Sequence, residues 1–246
     1  DLNSTNQIYT LSLLVNAGLS IFLAVVLLIF AQPIFSLMQV PAELMQEACD
    51  YLRITAVALP FQAIMLTFSA FLRAGAHMKV IMLITGFLNV CNIIGNAVLI
   101  NGLGPLPRLG AAGAALSSSI FRVVGMLLMG WMFFRFTQEA RVGFSMLRPF
   151  PKQLLRRLLE IGLPSGGESL SYNLSQTSCL IFVNMMGTYV VTTRMYAVMF
   201  ANCIYMLISA ASQAGQIVVG YLVGARDLDG ASQCNSRLLK LFCPIT

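Results

Sequence analysis

From residue 2 to residue 42 the chain carries no Asp, Glu, Lys, Arg or His. The intervals 54–72, 80–107, 169–193 and 195–225 are equally free of charge, and 109–134 holds only Arg122. These runs limit the fold more than any other feature. A helix that crosses a bilayer needs about 20 mostly apolar residues. Strands of a membrane barrel alternate over about ten residues, and these runs are too long and too continuously apolar for that. The reading is an all-α, polytopic transmembrane helical bundle. Its six spans fall at roughly 10–38, 50–72, 79–102, 110–134, 160–186 and 193–222. Composition agrees: only 10% of residues are charged, against about 25% in soluble domains.

The connections between spans differ in charge. One set holds Arg73, Lys79, Arg135, Arg141, Arg148, Lys152, Arg156, Arg157, Arg226, Arg237 and Lys240; the opposite set holds only Arg53, Arg108 and Arg194. Eleven basic residues against three assign the first set to the cytoplasm. The protein is therefore expected to be a multi-pass cell-membrane protein. The side of residue 1, the 136–152 linker and the 226–240 region should be cytoplasmic. The stretch from Arg135 to Arg157 holds six basic residues, with Pro149 and Pro151, and contains that linker. It divides the chain into 1–136, the later four helices of one lobe, a basic linker at 137–152, and 153–246, the first two helices of a second lobe plus the start of a third. A short internal echo supports two parallel lobes. "DLNSTNQIYTLSLL" at 1–14 matches "DLDGASQCNSRLLK" at 227–240 at four positions. Six spans lie between the copies, so both start from the same side, as parallel repeats of transporters do.

Chemical function must come from the few polar groups inside the spans. Glu168 is the only Asp, Glu, Lys, Arg or His between Glu160 and Arg194. An ionised carboxylate at mid-bilayer costs about 2.5–3.5 kcal/mol on insertion scales. Such a group faces a cavity, takes a proton or binds a cation. Ser165, Glu168, Ser169, Tyr172 and Gln176 recur at helical spacing as one polar stripe. Pro164 precedes Glu168 by four residues and removes a ladder hydrogen bond there. The alternative is that Glu168, two turns beyond Glu160, snorkels to the cytoplasmic interface. Asn89, Asn92 and Asn96 form a second stripe, as substrate or water ligands or as helix-to-helix ties. Arg122 lies deep in its span and needs a carboxylate, a carbonyl or water. Gln62, Gln213 and Gln216 are weaker candidates. His77 sits in a basic turn beside Lys79 and reads as a surface residue.

Other chemistry finds little support. The Cys residues, Cys49, Cys91, Cys179, Cys203, Cys234 and Cys243, lack metal-ligand spacing. No metal site, catalytic motif or phosphate loop is read, and neither an enzyme nor a nucleic-acid partner is expected.

Several stretches together resemble the multidrug and toxic compound extrusion (MATE) family. They are "YLRITAVALPFQAI" at 51–64, "FLRAGAHMK" at 71–79, "NVCNIIGNAVLINGLGPLPRLGAAGAALSS" at 89–118, "IGLPSGGESLSY" at 161–172 and "SQAGQIVVGYLVGARD" at 212–227. The resemblance implies a secondary antiporter that exports cationic, amphipathic organic compounds in exchange for H⁺ or Na⁺, with no other cofactor. Its partners would be small organic cations and the lipid bilayer, with no obligate protein partner. It also implies that the sequence covers about helices three to eight of a twelve-helix architecture. In one branch of the family the functional Glu lies eight residues after the corresponding proline. That position here is Tyr172, one turn beyond Glu168, so the resemblance leaves H⁺ and Na⁺ both open. The competing expectations are a flippase for lipid-linked sugars and a non-transporting scaffold.

Overall fold

The computed structural model describes residues 2–37, 42–102, 108–137, 142–143, 151–185 and 188–242. They form helices α1 (Leu2–Leu37), α2 (Ala42–Ala74), α3 (Met78–Asn101), α4 (Gly110–Phe136), α5 (Lys152–Met185), α6 (Thr188–Gly224) and α7 (Leu228–Phe242). No strand occurs among the described residues. Most of the basic linker, with Arg141 and Arg148, lies outside them.

Among the described residues, five helices are long and apolar enough to cross a membrane: Ser4–Ser36, Glu43–Ala74, Met78–Asn101, Gly110–Phe136 and Thr192–Gly224. The sixth expected span, 160–186, falls on α5, a helix of bilayer length that is less apolar than the five, because Ser165, Glu168, Ser169, Ser171, Asn173, Ser175, Gln176, Thr177 and Ser178 dilute its apolar residues. A helix of this composition is long enough to span but cannot turn all its faces to lipid.

The chain divides into two compact units, 1–156 and 157–246. In the first, α2 packs against both α1 and α4, and α4 packs against α3. Phe68 and Leu72 of α2, Ile84 and Leu88 of α3, and Met129 and Phe133 of α4 form its core, with Tyr9 and Leu13 of α1 packed on it. The core gathers where α2 turns into α3. Tyr9 meets Phe133 edge-on at 5.2 Å between ring centroids, and Phe68 lies 5.5 Å from Phe133. Such pairs add to plain burial. Further from that end, small residues bring α3 and α4 together. A Cβ on Gly113 would stand 2.6 Å from the Leu99 carbonyl oxygen, and one on Gly95 would stand 2.6 Å from Ser117 Oγ. Helices in lipid associate through this kind of close packing, since lipid tails are as apolar as leucine.

The α2–α3 and α6–α7 connections share one backbone design. Ala76 N–H donates to the Arg73 carbonyl and His77 N–H to Leu72; Arg226 N–H donates to Val223 and Asp227 N–H to Leu222. Each is a Schellman stop, with a left-handed residue where glycine is usual. Here these are Ala76 at φ 59° and Arg226 at φ 62°. Asp227 then caps α7, its Oδ1 accepting from Gly230 N–H at 2.9 Å. His77 precedes α3 without such a cap. Its ring packs against Phe136 with centroids 4.4 Å apart, so this surface residue also pins α4 to the turn.

In the second unit α6 packs against α7. The side chains of α5 from Leu159 to Leu180 are all exposed.

Candidate functional site

The expected polar residues fall into separate places. In α3, Asn96 Nδ2 donates to Asn92 Oδ1 at 3.1 Å, and Asn92 Nδ2 donates to Ser118 Oγ of α4 at 3.4 Å. This chain ties two helices together and leaves Asn96 Oδ1 buried without a partner among the described residues. Asn89, one turn earlier, is exposed. Arg122 follows Ser118 by one turn and is half-buried, its Nη1 buried with no partner among the described residues. Ser117 Oγ is in the same condition. Among the described residues α3 and α4 thus leave two acceptor-capable oxygens and one cationic donor unsatisfied.

A groove of about 540 Å³ opens between α1 and α2. Asn16 Nδ2 donates to Thr67 Oγ1 across it at 2.9 Å, and Ser12, Ser20 and Gln62 also line it. The sequence reading passed over the α1 side. Ser12, Asn16 and Ser20 nevertheless recur every fourth residue, the same signal that marked α3 and α5.

The third place lies between α5 and α6. A groove of about 600 Å³ is lined by Asn173, Gln176, Thr177 and Leu180 of α5 and by Arg194, Met195, Val198, Met199, Asn202, Cys203 and Met206 of α6. Arg194 Nη2 donates to Gln176 Oε1 at 3.2 Å. The stripe read along α5 therefore divides. Gln176 turns into this groove, whereas Ser165, Glu168 and Tyr172 are exposed and do not line it. At 100° per residue, Glu168 lies roughly 130° around α5 from the groove's centre. Among the described residues Glu168 has no hydrogen-bond or ion-pair partner. On α6, Gln213 is exposed and its Nε2 donates to Ser209 Oγ at 3.4 Å; Gln216 is exposed as well. Arg194, counted from sequence among the outer connections and weighed only as a cleft cation for the flippase alternative, was not among the expected pathway residues. Only the contact with Gln176, eighteen residues away in sequence, reveals its direction.

Polar groups thus sit in grooves and seams between long helices. Comparison with known proteins fits this architecture. The MatE family profile matches residues 2–98 and 164–242. The chain belongs to the MatE family. It is 36% identical over 218 residues to the "Uncharacterized transporter YisQ" of Bacillus subtilis, covering 88% of this chain and 47% of that protein. It is 29% identical over 204 residues to the "Probable multidrug resistance protein NorM" of Aromatoleum aromaticum, covering 82% of this chain and 44% of that one. The chain spans about half the length of the curated relatives it matches. A crystal structure of MATE in complex with MaD3S superposes with a TM-score of 0.84 at 21% identity, over 96% of this chain and 52% of that one. A variant of the Vibrio cholerae MATE transporter VcmN gives 0.84 at 18% identity, over 98% and 55%. At these identities the two structures establish the shared fold. This MatE chain is a multi-pass membrane protein.

Proposed function

We propose that the protein acts as a secondary antiporter, exporting cationic and amphipathic organic compounds in exchange for H⁺ or Na⁺. Membership of the MatE family carries this reading, and the NorM relatives, named as multidrug resistance proteins, give it a substrate class. The polar helix α5 supplies the chemistry. Its Glu168 is a carboxylate without a protein partner among the described residues, on a helix too polar to lie wholly in lipid. A carboxylate in that position alternates between holding the coupling ion and holding the substrate's positive charge, because only one of the two is needed to offset its own charge. The basic connections orient the protein with residue 1, the linker and the 226–240 region in the cytoplasm. From that side Glu168 would meet cationic compounds leaving the cell.

The test is efflux of an ethidium-type dye by the complete protein in proteoliposomes. The expected result is transport that stops when the H⁺ and Na⁺ gradients are both collapsed, and resumes when one is restored. Transport that persists without either gradient would contradict antiport.

A further inference from the structure

The α2–α3 turn and the end of α4 meet at one end of the first unit, where the His77 ring packs on Phe136 with centroids 4.4 Å apart. That contact brings two exposed cations to the same end: Lys79 at the start of α3 and Arg135 in the last turn of α4. Among the described residues neither has a hydrogen-bond or ion-pair partner for its side chain. The acids described in the first unit, Glu43, Glu47 and Asp50, all lie in the first turns of α2, at the other end of a 33-residue helix. Each cation also heads an exposed apolar wall. Leu83 and Phe87 follow Lys79 by one and two turns, and Trp131 and Leu127 precede Arg135 by one and two turns. Both helices are long and apolar enough to cross a membrane, and they pack against each other. The two cations therefore stand at headgroup level, at the ends of neighbouring lipid-facing walls.

We infer that this end of the first unit is a binding site for an anionic phospholipid, its phosphate held by Lys79 and Arg135 and its acyl chains lying along the α3 and α4 walls. The inference goes beyond the transport reading. It needs only a spanning bundle and does not depend on what the protein moves. Arg135 offers a planar fork of N–H donors to two phosphate oxygens, and Lys79 adds a point charge. A basic residue at an anionic membrane surface favours binding about fivefold, and two of them act on one headgroup here. A choline headgroup carries its own cation, which competes with the protein's for the phosphate; a glycerol headgroup carries none. The site should therefore prefer phosphatidylglycerol to phosphatidylcholine. Trp131 lies one turn inside Arg135, the depth at which tryptophan is enriched in membrane proteins, and so sits beside the first methylenes of a lipid held there.

The experiment places the complete protein in phosphatidylcholine nanodiscs and adds lipid brominated on the acyl chains near the headgroup. Quenching of Trp131 is read as the difference between the wild type and Trp131→Phe. Brominated phosphatidylglycerol is expected to half-quench Trp131 at a several-fold lower mole fraction than brominated phosphatidylcholine. Lys79→Gln and Arg135→Gln should each raise that fraction about fivefold or to the phosphatidylcholine value, whichever is lower, and the double variant should abolish the preference. Lys79→Arg, which keeps the charge, should preserve it. Unchanged quenching by brominated phosphatidylcholine shows that a variant is folded and inserted. Arg226→Gln, in the matching turn of the second unit, should leave the preference intact. Equal quenching of the wild type by the two lipids overturns the inference, as does a preference that survives the double variant. An equal loss in Arg226→Gln would mean a diffuse surface charge with no site and would also overturn it. Inorganic phosphate at millimolar concentration should not displace the lipid. Displacement by it would give the two cations to a soluble anion instead and count against the inference.

Discussion

Arg122 and Glu168 are both lone charges well inside helices, yet their surroundings are opposite. Arg122 belongs to α4, a helix packed through Gly113, Gly125, Met129, Gly130 and Phe133, all buried. Arg122 is half-buried, and it follows by one turn the Ser118 that ends the Asn96–Asn92–Ser118 chain. Glu168 belongs to α5, whose side chains from Leu159 to Leu180 are exposed. A charge fixed in a packed seam moves only if the packing moves. Glu168, by contrast, has no hydrogen-bond or ion-pair partner among the described residues. The contrast extends to the helices themselves: the first unit has a core in which Met129 and Phe133 are 0% and 1% exposed, whereas Tyr172 of α5 is 65% exposed and Phe200 of α6 is 71% exposed.

If that contrast is real, substitutions should separate the two regions. Phe133→Ala should cost most, about 3 kcal/mol or more, because it empties a core touched by Tyr9, Phe68 and Phe71. Thermal unfolding in detergent reads this as a clear drop in Tm. A core that tolerates it would mean the aromatic cluster does not hold the first unit together. Gly113→Val should follow, at about 2–3 kcal/mol, since its Cβ meets a backbone carbonyl that cannot swing aside. Cysteine pairs placed across α3 and α4 should then crosslink more slowly. Ala76→Gly should act in the other direction, raising stability by about 0.5–1 kcal/mol. It relieves the left-handed strain at φ 59°, less the added freedom of the unfolded chain. Tyr172→Ala should fall at the small end, within about 0.5 kcal/mol, as expected of an exposed side chain. A large loss of stability from Tyr172→Ala would show that α5 is packed as tightly as α4 and would end the comparison.

Much of the helical layout was legible because it rests on one strong signal. Bilayer-length intervals without charge set α1, α3 and α6, one broken only by Arg122 set α4, and each forms as a continuous helix despite Pro33 in α1. The same signal located α5 but not its polarity: freedom from charge is not apolarity, and this helix is dense in Ser, Asn and Gln. The sites were legible only in part. A stripe at helical spacing shows that residues share a face but not what the face meets. Asn92 meets α4, Asn96 bonds back to Asn92, Asn89 is exposed, and Gln176 parts from Glu168 because the drift of the helix over eight residues carries it round to α6. Arg194 was hidden for another reason. Near a helix end, sequence cannot distinguish an arginine turned to water from one turned back along its helix, and only the hydrogen bond to Gln176 decides.

The central claim is that the Glu168 carboxylate holds coupling ion and organic cation in turn. It is tested most directly by adding a cationic substrate to the complete purified protein and measuring the ion released, with a pH indicator for H⁺ and a Na⁺-selective dye for Na⁺. The wild type should release about one ion per cation bound, and Glu168→Gln should release none while its Tm stays unchanged. Release from Glu168→Gln equal to that of the wild type would contradict the account.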